Sequence, residues 1–425
     1  MERVRVSLPY GSGCTEVEIP ASNLMGIYSP RDVAPVHDLK AEIKRAMREP
    51  IASRPLRELV AGKKDVVFVA DDNTRLTPTD AIIPVLLDEC NAAGVPDECI
   101  TVVIALGTHR FMTEPEIAQK FGAEVVRRVK IVNHPYKDPR ALINLGRTPN
   151  GTEITINRQV YQAEFKLGIG SIVPHHIPGF AGGAKIVQPG VSGEKTTAET
   201  HLLSVKSPRS YLGILDNPVR EELNAIARKV GLNTIFNTVL NRSGEVVKAF
   251  FGDVVDAFRA GVEKCLEVYA AELPAAADIV LASSHPCDLE FWQAHKTLYP
   301  ADRAVREGGI IIVVTPCYEG VAKTHAEMIE FAGFAPNEIW DKVNRGEMAD
   351  EVAAALAIAW GQVRQRATVY FVSSGVTDTE ARKLGFVPFQ SCQAALDNAL
   401  AVLGPSSKVA VLTHAPDMLP IVRSA

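Results

Sequence analysis

A chain of 425 residues with 45 basic and 50 acidic side chains, net charge −5, has neither the basic excess of a nucleic-acid binder nor a cationic run suited to anionic membranes. Its length exceeds one ordinary core, so two domains are expected, and no apolar run reaches the roughly 18 residues of a membrane helix. The opening segment, MERVRVSLPYGS, lacks the apolar stretch of a secretory leader, so the expected location is the cytoplasm and the expected partner a small molecule.

From about residue 65, β-branched runs alternate with helical stretches: DVVFVADD, TDAIIPVLLDECNAAG, CITVVIALG, TEPEIAQKFGAE and VVRRVKIVN. This alternation predicts an α/β fold with a largely parallel sheet, whose ligands bind beyond the carboxyl ends of the strands. Asp71 and Asp72 close the first of these strands, with Thr74 and Arg75 just after, and Gly107, Thr108, His109 and Arg110 close the next. A third run, FKLGIGSIVP, delivers the chain to His175, so three strands aim at one mouth.

The segment PHHIPGFAGGAKIVQPGVSGEKTTAETH, Pro174 to His201, carries most of the chemistry. Gly182 and Gly183 let the backbone approach a bound group closely, and Lys185 among small neighbours is placed for a covalent or close-contact role, because partial desolvation lowers an amine's pKa. A Walker loop requires glycine before the lysine and a hydroxyl residue after it, whereas Ala184 and Ile186 stand there; the glycine spacing is not that of a dinucleotide fold either. His109 and His175, at strand ends beside Arg75 and Arg110, suit an acid on one face of a substrate and a base on the other. His201 is expected early in a helix starting near Gly193 and has no partner histidine at i+4. It is either a core residue or a single ligand to a metal carried mainly by a cofactor.

Arg75 has the planar fork that clamps a carboxylate, and Asp71 or Asp72 is placed to orient a histidine or hold a ribose hydroxyl. A second α/β unit begins after the LPAAA linker at 273–277, with strands ADIVLASS, GGIIIVVT, TVYFVSSG and KVAVLTH. The expected division is therefore 1–274 and 275–425, with the last 15 or so residues free to return to the first unit and a cleft between two largely parallel sheets. In the second unit FWQAHK presents Trp292, Gln293, His295 and Lys296 on one helix, where Lys296 could close over a carboxylate. The seven cysteines are scattered and form no CxxC, which points to buried thiols; Cys287, in HPCD, is the one candidate nucleophile.

DDNTR at 71–75, GTHR at 107–110, HHIPGFAGGAK at 175–185, TH at 200–201 and WQAHK at 292–296 together resemble, in order and over most of the chain, the nickel-dependent lactate racemase family. The resemblance implies an isomerase, a racemase or epimerase of a 2-hydroxy acid, that uses a nickel-pincer nucleotide. This is a pyridinium-3-thioamide-5-thiocarboxylate mononucleotide binding nickel through sulfur, carbon and sulfur. It implies a thioamide link at Lys185, nickel ligation by His201, and cofactor contacts from Asp72, Gly182 and Gly183. His109 and His175 become the acid/base pair, Arg75 and Lys296 the carboxylate holders, and Gln293 and Trp292 further substrate contacts. Hydride leaves the carbinol carbon, a 2-oxo acid stays bound, and hydride returns to the other face.

Cofactor-making proteins are implied as maturation partners. Trp292 stands where lactate enzymes of the family have tyrosine, Ala184 replaces a basic residue, and Trp360 is out of phase with the tryptophan they carry over the pocket, near 355 in this numbering. Malate or a sugar acid thus fits the pattern as well as lactate. Two other classes stay open from the residues alone: a cofactor-free lyase or hydratase using the two histidines, and a non-catalytic carrier of a phosphorylated small molecule.

Overall fold

The computed structural model describes residues 2–423. Its first sheet has six strands in the spatial order Val246–Gly252, Thr234–Leu240, Phe165–Ser171, Val66–Asp71, Ile100–Ala105 and Lys130–Asn133. All neighbours are parallel except the edge strand Val246–Gly252, which runs antiparallel to Thr234–Leu240. The central strands are continuous apolar runs because both faces are covered, and every residue of Val66–Asp71 is buried. Helices Leu39–Arg48, Thr79–Ala92 and Glu114–Arg128 cover one face, and Pro218–Val230 and Asp256–Tyr269 the other. The Glu114–Arg128 helix starts where its sequence directs: Thr113 and Glu116 form a reciprocal capping box, and Glu114–Pro115 open the first turn.

The second sheet is also six-stranded, in the order Val387–Pro388, Thr368–Ser373, Val305–Thr315, Ala277–Ser283, Val409–Leu412 and Leu24–Tyr28, all parallel. Here the structure corrects the expected grouping of residues 1–274. Leu24–Tyr28 is an edge strand of the second sheet, and the hairpin Arg3–Tyr10/Gly13–Pro20 buries Val6, Leu8, Val17 and Ile19 against that sheet's outer face with helix Cys392–Leu403. The hairpin's period-two alternation shows only that one face is buried and carries no address for which sheet it covers. Near the chain's end, Leu419–Val422 pairs in parallel with Ala270–Leu273 at the junction of the two units. One apolar cluster, running from Val67 to Trp360, joins the inner faces of both.

Candidate active site

At the carboxyl end of Val66–Asp71 the chain turns through Asp72–Thr77, held by Lys120, whose Nζ donates to the carbonyls of Arg75 (2.6 Å) and Thr77 (2.8 Å). Asp72 is buried. Its Oδ1 accepts from the Thr74 hydroxyl at 2.5 Å and the Thr74 amide at 3.1 Å, and its Oδ2 lies 2.6 Å from His109 Nδ1. Burial alone would raise this carboxyl, but His109, Arg75 and the Thr74 hydroxyl outweigh it and hold Asp72 well below the usual carboxylate range. His109 is itself lowered, by burial first, with Asp72 opposing. It is therefore neutral near pH 7, with its proton on Nδ1 facing the carboxylate and Nε2 bare. Arg75 Nη1 donates to Thr74 Oγ1 at 2.7 Å, so one threonine orients both the acid and the guanidinium.

The glycine-rich segment folds as a short hairpin, Pro174–His175 with Gly179–Phe180, followed by a 3-10 turn over Gly183–Ile186 that carries Lys185. Gly182 has φ +87° and ψ −179°, a region open essentially to glycine, and a Cβ there would meet Ile172 at 2.6 Å and Asn237 Oδ1 at 3.0 Å. Asn237 Oδ1 accepts from the Gly183 amide at 2.8 Å. The buried Arg220 guanidinium caps the carbonyls of Phe180 and Gly182 while stacking over Phe258 at 4.2 Å. Lys185 is held well below the usual lysine value by burial first, then by the charges of Arg75, Lys296 and Arg220. That favours a free amine, the form that reacts with an acyl or thioacyl group.

His175 is buried, and its Nδ1 accepts from the Ile177 amide at 3.2 Å, so in the neutral ring the proton sits on Nε2. It is thus the complement of His109: one ring offers a lone pair, the other an N–H. His176 stacks between His175 (4.7 Å) and Tyr299 (4.0 Å), and His295 Nδ1 meets the Tyr299 hydroxyl at 3.0 Å. His201 lies in helix Glu194–Ser204. Burial and the nearby Lys185 push it down to about 3 against the opposing Thr197 backbone, and among the described residues its buried Nδ1 makes no hydrogen bond of normal geometry.

The second unit contributes Phe291–Ala294, continued by a 3-10 turn over His295–Thr297. Gln293 Nε2 donates to His109 Nε2 across the units at 3.0 Å, and Lys296 Nζ donates to Gln293 Oε1. Lys296 is lowered to about 8 by burial and by Arg75. Trp292 stacks on His325 at 3.8 Å; the His325 ring spans Asp350 Oδ2 (2.5 Å) and Thr108 Oγ1 (3.2 Å), the residue before His109.

One cleft, with an empty volume of about 1050 Å³, is lined by Asp72, Arg75, His109, His175, Gly182, Lys185, His201, Trp292, Gln293 and Lys296. Gly183 sits one residue behind the wall, against Phe258. Leu356 lines the cleft, whereas Trp360 is fully buried and donates its indole N–H to the Ala332 carbonyl. Sequence reasoning missed the Trp292–His325–Asp350 group, because His325 stands in a stretch with neither periodicity nor a motif, and it passed over Tyr299. Cys287, the candidate nucleophile, is a thiol pushed up by burial, which is the opposite of activation.

The chain as a whole is similar to known proteins. A family model described as the lactate racemase N-terminal domain matches residues 10–213, and one described as the lactate racemase C-terminal domain matches residues 273–419. A lactate racemase from Thermoanaerobacterium thermosaccharolyticum is 30% identical over 321 residues, covering 74% of this chain and 75% of its own. One from Lactiplantibacillus plantarum is 28% identical over 99% of both. The solved lactate racemase apoprotein from Thermoanaerobacterium thermosaccharolyticum superposes with a TM-score of 0.87 at 26% identity, covering 99% of this chain and 100% of that one. A Thermotoga maritima structure shares the fold at 21% identity, with a TM-score of 0.74 and coverage of 93% and 100%. With both domain models matched in order and relatives aligned along its length, the chain belongs to the lactate racemase family.

Proposed function

We infer that this chain is an isomerase, a racemase or epimerase of a lactate-like 2-hydroxy acid, and that His109 and His175 handle its hydroxyl proton. The observation that carries this reading is the complementary pair of imidazoles in one cleft: His109 with a bare Nε2 backed by the Asp72 carboxylate, and His175 with a proton on Nε2. His109 takes the hydroxyl proton, and Asp72 stabilises the imidazolium that forms. The planar 2-oxo acid is kept from diffusing by Arg75 and Lys296 on its carboxylate, with Gln293 bridging Lys296 to His109. When the other face is presented, His175 hydrogen-bonds the oxygen from its Nε2–H, and the proton held by the His109 imidazolium returns to that oxygen.

The residues fit a nickel-pincer nucleotide. Lys185 is a half-buried lysine favoured as the free amine, and His201 has a buried ring nitrogen without a hydrogen-bond partner among the described residues. Among the described residues no three of His, Cys, Asp or Glu are gathered to hold a metal by themselves, so His201 suits a metal whose other ligands come with a cofactor. When bound, that nucleotide supplies an acceptor for the hydride of the substrate's C2 and a donor for its return. Lys185 would carry the covalent link, His201 the nickel, and Asp72 and Gly182 close contacts with the group, with Gly183 supporting the loop from behind the wall. Proteins that make the cofactor are the maturation partners this implies.

The test is intact mass and nickel content of protein co-produced with a pincer-nucleotide biosynthesis system, wild type against Lys185→Ala, with chiral analysis of 2-hydroxy acids. A nucleotide-sized adduct with about one nickel per chain, both lost in the variant, is the expected outcome. Proton-transfer activity in protein lacking adduct and nickel would replace this reading with a cofactor-free lyase or hydratase.

A further inference from the structure

A second cavity adjoins the first, and four residues line both: Arg75, Ser171, His175 and Lys296. It runs towards the chain's end past Asn241, His285, Cys287, His414 and Asp417, polar groups set among an otherwise largely apolar lining that includes Leu76, Val173 and Leu240. If Arg75 and Lys296 hold the substrate carboxylate and His175 its C2 oxygen, this cavity begins where the remaining substituent of C2 must go.

The walls say what kind of substituent fits. Asp417 is half-buried, and among the described residues its carboxylate accepts no hydrogen bond, while Lys296, Arg75 and His285 are the basic side chains that face it. Burial is the main influence on it, pushing it up to about 6. His414 stands edge-on to His285 at 5.4 Å, with Nδ1 2.9 Å from the Thr413 hydroxyl. An apolar side chain here would desolvate a carboxylate without giving it a donor, a cost of the kind that lets polar sites reject analogues lacking a hydroxyl. A second carboxylate would meet Asp417 as a like charge. Hydroxyl groups supply donors to Asp417 and acceptors for the histidines.

We propose that the side cavity bounded by Asp417, His285, His414 and Cys287 receives a hydroxylated side chain, so that the substrate is a polyhydroxy 2-hydroxy acid of the aldonic class. This rests on the racemase reading above and names its substrate. Holoenzyme, verified by mass and nickel, is assayed by chiral chromatography for inversion at C2 of lactate, 2-hydroxyisocaproate, malate, glycerate and gluconate. Glycerate or gluconate is expected to exceed lactate in kcat/KM by roughly 100-fold or more, within the range that an unsatisfied polar site imposes.

Asp417→Ala should lower the hydroxylated acids at least roughly 10-fold more than lactate, the loss of one such hydrogen bond, and Asp417→Asn, which keeps an acceptor, should restore part of the difference. Cys287→Met, narrowing the cavity without touching Asp417, should penalise gluconate more than glycerate. Preference for lactate, 2-hydroxyisocaproate or malate overturns the proposal. So does an equal loss on every acid in Asp417→Ala, which would make Asp417 only a counter-ion to Lys296 and Arg75. Inversion of no acid by loaded protein overturns the racemase reading as well, whereas inversion confined to unhydroxylated acids leaves that reading standing and removes only this one.

Discussion

Asp72 decides which nitrogen of His109 is free. Its Oδ2 lies 2.6 Å from Nδ1, and Thr74 occupies its other oxygen, so the carboxylate cannot rotate away without losing two hydrogen bonds. Asp72→Asn keeps the shape but removes the charge and allows the amide to donate, which favours the opposite tautomer. The expected loss in kcat is roughly 10²- to 10⁴-fold, the range for a mis-set general base. His109 is already lowered by burial, so wild-type activity should fall on acidification below about 6.5, where the imidazole loses its lone pair. Removing the carboxylate takes away the group that opposes this lowering, so in Asp72→Asn the acid limb should move to lower pH. Cofactor loading should be kept. A pH–rate profile and a rate both indistinguishable from wild type would remove Asp72 from the proton path.

At the scale of elements, the glycine-rich loop depends on backbone shape more than on its side chains. Gly182→Ala would place a Cβ 2.6 Å from Ile172 in a conformation that costs non-glycine residues about 1–3 kcal/mol. The expected result is a lower denaturation midpoint and reduced loading of nickel and nucleotide even though Lys185 is intact; full loading at wild-type stability would contradict it. This loop was legible in the sequence because glycines, a lysine and histidines are concentrated within 28 residues, and the strand ends at Asp72, His109 and His175 were legible from β-branched runs that stop at polar clusters. Side chains that act across the two units were not. Nothing in the spacing of Thr108 and His325, or of His109 and Gln293, links residues that meet only after the two sheets pack. The first 28 residues were misassigned for a related reason: a hairpin joins whichever sheet face it completes, and that partner lies more than 250 residues away in sequence.

Across the whole molecule, the same burial that sets the site's chemistry sets the pH range of folding. His176 and His295 are pushed well below their ordinary value by burial, and His134 and His414 to about 4. His134 is fully buried between the two ends of a polar bridge: its Nε2 donates to the Ser192 carbonyl at 2.9 Å, and its Nδ1 accepts from Asn157 at 3.1 Å, so the folded ring is neutral. An unfolded histidine takes a proton near 6.5, and the folded one resists until about 4. The unfolded chain therefore binds more protons in this window, and stability is complete above pH 6.5 and is lost as pH falls through it towards 4. For His134 alone the loss amounts to about 2 kcal/mol by pH 5 and about 3 kcal/mol below pH 4. One apolar cluster reaches both units, so the loss should appear as a shift of the main unfolding transition. Urea denaturation at pH 7.5, 6 and 5 should show midpoints falling with pH. In His134→Gln, which keeps a donor for Ser192, the midpoint should start lower at pH 7.5 and fall less steeply. Equal slopes in the two proteins would mean that His134 is protonated in the folded state, and that the bridge to Ser192 and Asn157 does not hold it neutral.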